Sequence, residues 1–351
     1  MVIDTIRKIY DAVGADALVV KEDDLRFYLT HFSSSFGIVV ADKDGASFYT
    51  DSRYLEAAEK SLAGQGISVK EYPRHTKLCE FLKGYKSLGM PLGRISASDY
   101  LSLTEGGYEI KDSLGSFESA MAVKREDEIE NIRLACAATD RAYMTLLGEI
   151  KEGMTENEVA ALLEYLMRKN GASGTSFSTI CAFGANGSVP HHETGNTALK
   201  FGDAVLIDFG CKINGYCSDC TRTFLFGDDG NHTEFKDIYQ KVLTAHMLVK
   251  EKFVSGMTGK QGDAIARDYF ASYGLDKYFT HSLGHSLGIN IHEKPTLSPG
   301  DESIFADGMV FSDEPGIYLA GKLGIRIEDS VTLKDGKVVS LTDSDKKLLI
   351  L

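Results

Sequence analysis

Residues 204–224 read AVLIDFGCKINGYCSDCTRTF. The part from 204 to 213 is rich in β-branched and aromatic residues, and Asn214-Gly215 is a strong hairpin signal because both turn positions favour φ > 0. A turn there pairs Ile213 with Tyr216 and sets Asp208 opposite Thr221. Side chains alternate along a strand, so Asp208 and Asp219 share one face as diagonal neighbours, with Cα atoms roughly 7–8 Å apart. Two carboxylates about 4 Å apart repel by roughly 4 kcal/mol at an effective dielectric near 20. No Lys or Arg faces them from within the hairpin. A bound metal, or a pair of metals, would balance them. Two solvated aspartates on an edge hairpin is the other reading of this stretch taken alone.

Around this hairpin lies a chain of 351 residues, a length that suits two domains. Its hydrophobic content of 43% and charged content of 25% are those of a globular protein. The formal charge of −13 argues against nucleic acid, whose phosphates require a basic face. No apolar run is long enough to span a membrane. The first residues, MVIDTIRKIYDAVGADALVV, lack a basic segment followed by an apolar core, so no export signal is expected and a cytoplasmic location is. The six cysteines (79, 136, 181, 211, 217 and 220) fit free thiols in a reducing compartment. Cys217 and Cys220 form a C-x-x-C, but no second pair of soft ligands follows at zinc-site spacing.

Residues 1–120 alternate short helical and strand patterns: strand 17–20, helix 22–30, a hairpin of 36–41 and 46–50, helix 53–62, strand 67–71 and helix 76–85. That is an α/β domain without a catalytic cluster, and its two histidines, His31 and His75, stand alone. The charged run Lys124-Arg125-Glu126-Asp127-Glu128 reads as the solvated start of a long amphipathic helix, with acids suited to the helix N-terminus. The boundary is placed just before it, giving a second domain at 121–351. Thr155-Glu156-Asn157-Glu158 is a capping box and Asn170-Gly171 a stop, which predicts a helix over 155–170. A strand at 177–183, the hairpin, helices at about 234–254 and 260–273, and further strands complete a pattern that hints at an internal duplication.

Four clusters accompany the hairpin. Pro190-His191-His192-Glu193 lies in a loop before it. His281, His285 and His292 place three of the nine histidines within twelve residues. Gly284 and Gly288 disfavour a helix there, at about 1 kcal/mol each, and favour a strand with close backbone approach. Glu314 in FSDEPGIY and Glu328 in GIRIED each put a carboxylate in an apolar strand, where it needs a partner. An Arg326–Glu328 salt bridge is one such partnership. The turn 319–323 would bring Glu314 near Glu328. Asp208, Asp219, His285, Glu314 and Glu328 then offer four carboxylates and one imidazole, a set that balances two divalent cations. Oxygen-rich ligation with one nitrogen suits Mn²⁺, with Co²⁺, Zn²⁺ or Fe²⁺ as alternatives. Two such ions about 3.5–4 Å apart can lower the pKa of a shared water toward 7.

At these residues the sequence resembles the pita-bread metallopeptidases (the creatinase, aminopeptidase P and prolidase group). It is most similar to their proline-specific branch, the Xaa-Pro aminopeptidases and Xaa-Pro dipeptidases. The family's ordered ligand set is Asp, Asp, His, Glu, Glu, with the aspartates eleven residues apart as Asp208 and Asp219 are. The resemblance covers most of 121–351 and extends more weakly to the first domain, through DLRFYLTHFSSS and FYTDSRYLEAA. It implies an α+β fold, a C-terminal pita-bread catalytic domain behind a smaller N-terminal α/β (creatinase-type) domain. It implies that His191 and His292 contact the substrate and support the transition state. Glu314, besides ligating, would shuttle a proton to the leaving nitrogen. His281, Tyr318 and Arg326 match positions lining the pocket for the proline ring. A homodimer acting on peptides with proline at position two is the expected assembly, with no nucleic acid or membrane partner.

Within the branch that the sequence resembles, several Xaa-Pro dipeptidases carry an arginine four residues after the second catalytic histidine, where it can hold a dipeptide's carboxylate. Thr296 stands there, after His292-Glu293-Lys294-Pro295. A hydroxyl cannot replace a guanidinium fork, so the sequence favours an Xaa-Pro aminopeptidase, with the dipeptidase as alternative. Methionine aminopeptidases share the ligand set but usually lack the N-terminal domain. A non-catalytic binding module on the same scaffold is the rival of a different class, and such relatives have generally lost ligands that are all present here.

Overall fold

The computed structural model describes residues 2–351. Two compact units follow one another along the chain, the first ending at Met121 and the second running Ala122–Leu351. In the first unit one mixed sheet carries six strands in the order Ile67–Glu71, Gly45–Thr50, Ile38–Asp42, Ala17–Val20, Ser87–Met90 and Glu109–Asp112. All four residues of Ala17–Val20 are buried, as a central strand covered on both faces requires. The expected hairpin is present, with Ile38–Asp42 antiparallel to Gly45–Thr50. The helix expected over 76–85 shrinks to Leu78–Phe81. The chain turns at Gly84, whose φ is +116°, and Phe81 is held by the rings of Tyr49 and Tyr72, 4.7 and 4.8 Å away between centroids. Packing of one aromatic residue thus overrides the local helical pattern.

The second unit repeats a plan of two helices followed by strands. Glu126–Glu149 and Glu156–Lys169 cover a three-stranded sheet of Cys220–Phe226, Asp203–Phe209 and Ile180–Phe183. Leu146, Val159 and Leu163 pack there with Val205 and Ile207. Thr233–Lys252 and Gly259–Ala271 cover a five-stranded sheet of Glu293–Leu297, Gly284–Ser286, Val310–Asp313, Asp329–Lys334 and Lys337–Ser340. Val242, Val249 and Phe270 join Phe311 and Val331 in that core. The capping box forms, with the Thr155 hydroxyl accepting from the Glu158 amide and the Glu158 carboxylate accepting from the Thr155 amide. The charged run at 124–128 is not solvated throughout. Lys124 is buried and its Nζ lies 3.0 Å from Glu293 Oε2, while buried Glu128 accepts a hydrogen bond from the Tyr216 hydroxyl.

The organising hairpin keeps the expected register, with Ile213 opposite Tyr216 and Asp208 opposite Thr221. It is not one continuous ladder. The first arm divides into Asp203–Phe209 and Cys211–Ile213, the second into Tyr216–Cys217 and Cys220–Phe226. Gly210 marks the break, because a Cβ there would lie 2.0 Å from the Ser218 carbonyl oxygen. The Ser218 hydroxyl fills the gap, accepting from the Cys211 amide. Gly210→Ala is therefore expected to destabilise the protein by about 1–3 kcal/mol, the usual cost of overpacking. A denaturant titration of metal-free protein checks it, and an unchanged midpoint would mean the close approach is not tight.

Candidate metal centre

The broken hairpin presents Asp208 and Asp219 on one face, and Glu328 arrives from the neighbouring segment. One carboxylate oxygen from each of the three lies within 4.8 Å of the others. Glu328 is fixed by two contacts with Thr221, accepting from its hydroxyl at 2.6 Å and donating its own amide to the Thr221 carbonyl. The Asp219 backbone is clamped through both its N–H and C=O by the Ser330 hydroxyl. His285 stands on Gly284–Ser286, pressed so close to the next strand that a Cβ on Gly284 would fall 1.9 Å from the Ser312 carbonyl. Its Nδ1 donates to the Ser286 carbonyl, leaving the Nε2 lone pair 3.5 Å from both Asp219 Oδ2 and Glu314 Oε1. A second hydrogen bond that fixes a ligating imidazole's tautomer in this way is the usual arrangement at metal sites. The Ser312 hydroxyl orients Glu314.

All five residues line one cavity of about 760 Å³, together with His191, His292, His281 and Arg326. Tyr318 is not in that wall. It lies buried behind it, accepting from Arg326 Nη1 and donating to His281 Nε2, while His281 Nδ1 donates to the Ser282 carbonyl. The Arg326–Glu328 pair, the alternative to a ligating Glu328, is not formed. The strand ends at Arg326 and the chain bends before Asp329–Lys334 begins, so alternation no longer holds across 326–328. Arg326 reaches across instead, its Nη2 2.6 Å from Asp208 Oδ2.

The charge balance of the cavity is uneven. Five carboxylates, those of Asp208, Asp219, Glu314, Glu328 and Glu193, line it against one guanidinium. Burial, reinforced by Glu328, Asp208 and Glu314, holds the Asp219 carboxyl well above the usual range. Burial, then Glu314 and Asp208, does the same to Glu328. Burial raises Glu314 to about 8. Burial and the neighbouring His292 lower His285 to about 4, so its imidazole is neutral and able to ligate. Asp208 Oδ1 is buried without a hydrogen-bond partner. Buried carboxylates that repel one another, an orphaned carboxylate oxygen and a neutral imidazole aimed at them are what a divalent-cation site requires, so the donor set fits such ions.

Sequence reasoning missed Glu156. It is fully buried at the start of its helix and accepts four hydrogen bonds, from the Phe183 and Gly195 amides, Asn186 Nδ2 and His192 Nε2. Burial opposes its charge, but these bonds hold its carboxyl below the usual range. It thereby anchors the loop that carries His191. The Pro-His-His-Glu motif pointed to the loop, but nothing near Glu156 in sequence names its partners.

A family model described as metallopeptidase family M24 matches residues 130–335, and one described as the creatinase/prolidase N-terminal domain matches residues 3–125. A Pyrococcus furiosus protein named Xaa-Pro dipeptidase is 36% identical, over 89% of each chain. The solved structure of an Xaa-Pro dipeptidase from Bacillus anthracis superposes with a TM-score of 0.93 at 32% identity, covering 100% of both chains. That of an X-Pro aminopeptidase from Thermotoga maritima superposes with a TM-score of 0.90 at 32% identity, covering 98% of this chain and 99% of the other.

Proposed function

Since the chain belongs to metallopeptidase family M24, with a creatinase-type N-terminal domain before a pita-bread catalytic domain, we propose that it is an Xaa-Pro dipeptidase. The convergence of Asp208, Asp219, His285, Glu314 and Glu328 on one cavity carries the hydrolytic reading. The names of the Pyrococcus and Bacillus relatives support the dipeptidase over the aminopeptidase that the sequence favoured. The five residues would hold two divalent ions, Mn²⁺ first among them. Bound there, such ions supply an activated water and an electrophile for the scissile carbonyl. The rest falls to the chain's own groups. Glu314, oriented by the Ser312 hydroxyl, is suited to carry a proton from the attacking water to the leaving prolyl nitrogen. His191 and His292 face the cavity outside the carboxylate cluster and would hydrogen-bond the developing oxyanion. The relay Arg326, Tyr318, His281 stiffens the wall against which the proline ring would sit. A bond before proline has no N–H to grip, so shape must recognise it. The six free thiols support a cytoplasmic setting, and the domain boundary is placed near residue 121.

One observation favours the aminopeptidase as a second reading. Thr296 lines the cavity, but its hydroxyl is engaged with Asp301, and the Lys294 side chain is not in the wall. Arg326 is thus the one permanent cation facing the cavity among the described residues, and Asp208 already engages it. The test compares kcat/KM for Ala-Pro with that for Ala-Pro-Ala. The dipeptidase reading expects a preference of roughly tenfold or more for Ala-Pro, about 1.4 kcal/mol of transition-state binding. Equal or faster cleavage of Ala-Pro-Ala would replace it with the aminopeptidase.

A further inference from the structure

Behind the carboxylates of the cavity lies a second pair. Asp313 and Asp329 face each other directly in the antiparallel pairing of Val310–Asp313 with Asp329–Lys334, and both are fully buried. Like charges placed so destabilise a ladder. Asp313 immediately precedes Glu314 and Asp329 immediately follows Glu328. The glutamates face the cavity and the aspartates do not. The same two backbone segments therefore hold a front pair and a rear pair of acids.

His246, fully buried on the helix Thr233–Lys252, sits against the rear pair. Its Nδ1 is 3.0 Å from Asp313 Oδ2 and its Nε2 is 3.5 Å from Asp329 Oδ2. These are ion-pair contacts whose N–H bonds are not aimed along the line to the oxygens. Asp329 has other support, from Arg222 at 2.9 Å, Lys346 at 3.0 Å, Lys250 at 3.9 Å and the Ser340 hydroxyl at 2.7 Å. Asp313 has only His246 within ion-pair distance, among the described residues.

We propose that His246 is a positioning residue for the metal centre: by bridging Asp313 and Asp329 it holds the two segments at the separation that lets Glu314 and Glu328 face the cavity together. The inference rests on the metal-centre reading above, and its experiment separates the two. Chelator-stripped wild type, His246→Gln and the double variant His246→Gln/Asp313→Asn are titrated with Mn²⁺ by calorimetry. Glutamine fills the site without a charge, so the single variant should bind Mn²⁺ roughly 10–100-fold more weakly, the usual cost of losing an outer-shell partner. The double variant removes the acid left unpaired and should return to within about threefold of wild type, a coupling that contacting residues permit. A single variant that binds as wild type does overturns the role of His246. So does a double variant that is unfolded or as weak as the single one. A wild type that binds no Mn²⁺ removes the metal-centre reading and this one with it.

Discussion

Asparagine in place of Asp219 is expected to empty the metal centre and abolish hydrolysis while leaving the fold intact. The side chain is buried at the middle of the cluster, within reach of Asp208, Glu328 and His285 Nε2. Asparagine keeps its shape and its neighbours' packing but removes one negative charge and one strong donor. Loss of a direct ligand should cost more than the roughly 10–100-fold typical of outer-shell partners. Elemental analysis after dialysis, beside a thermal melt, checks both halves. Full metal content in the variant would remove Asp219 from the ligand set. The same charges predict a pH signature in metal-free wild type. Glu314 is raised from 4.5 to about 8 by burial, so between those values the folded chain holds a proton that the unfolded chain has released. Stability must then fall as pH rises through that window, because the folded state binds more protons there. Added Mn²⁺ should flatten the dependence by supplying the missing positive charge.

Alanine at His191 or at His292 should leave metal content unchanged and lower kcat by roughly 10²–10⁴, the range for acid–base or oxyanion assistance. Both side chains line the cavity, and neither contributes an atom to the close carboxylate group. The His292 ring lies 4.4 Å from that of His285, centroid to centroid. Burial and the nearby His191 lower its pKa, so at neutral pH it is an uncharged hydrogen-bonding group. His191 rides on the loop fastened by Glu156, whose hydrogen bond with His192 spans 2.9 Å. Steady-state kinetics with metal analysis on the same samples separates the roles. A metal-depleted variant would make that histidine a ligand, and a kcat within tenfold of wild type would deny it a part in the chemistry.

The sequence by itself determined the register of the central hairpin, because Asn214-Gly215 admits few other turns and alternation then assigns the face of Asp208 and Asp219. It also determined the helix started by the capping box at Thr155 and the close-packed strand around His285, since Gly284 leaves room for the neighbouring backbone and no side chain would. These are local matters of turn geometry, capping and backbone clearance. The tertiary structure alone decided which charge meets which. Arg326 pairs with Asp208 rather than with its sequence neighbour Glu328, because the strand ends and the chain bends between the two. Glu156 figures in the sequence only as part of a capping-box stretch and is a buried hub, its four donors drawn from Phe183, Asn186, His192 and Gly195. His246 carried no signal in the sequence, yet it lies buried against two aspartates more than sixty residues further on. A buried ionic group must find its partner in space, and sequence spacing carries no record of which strand will be packed against which helix.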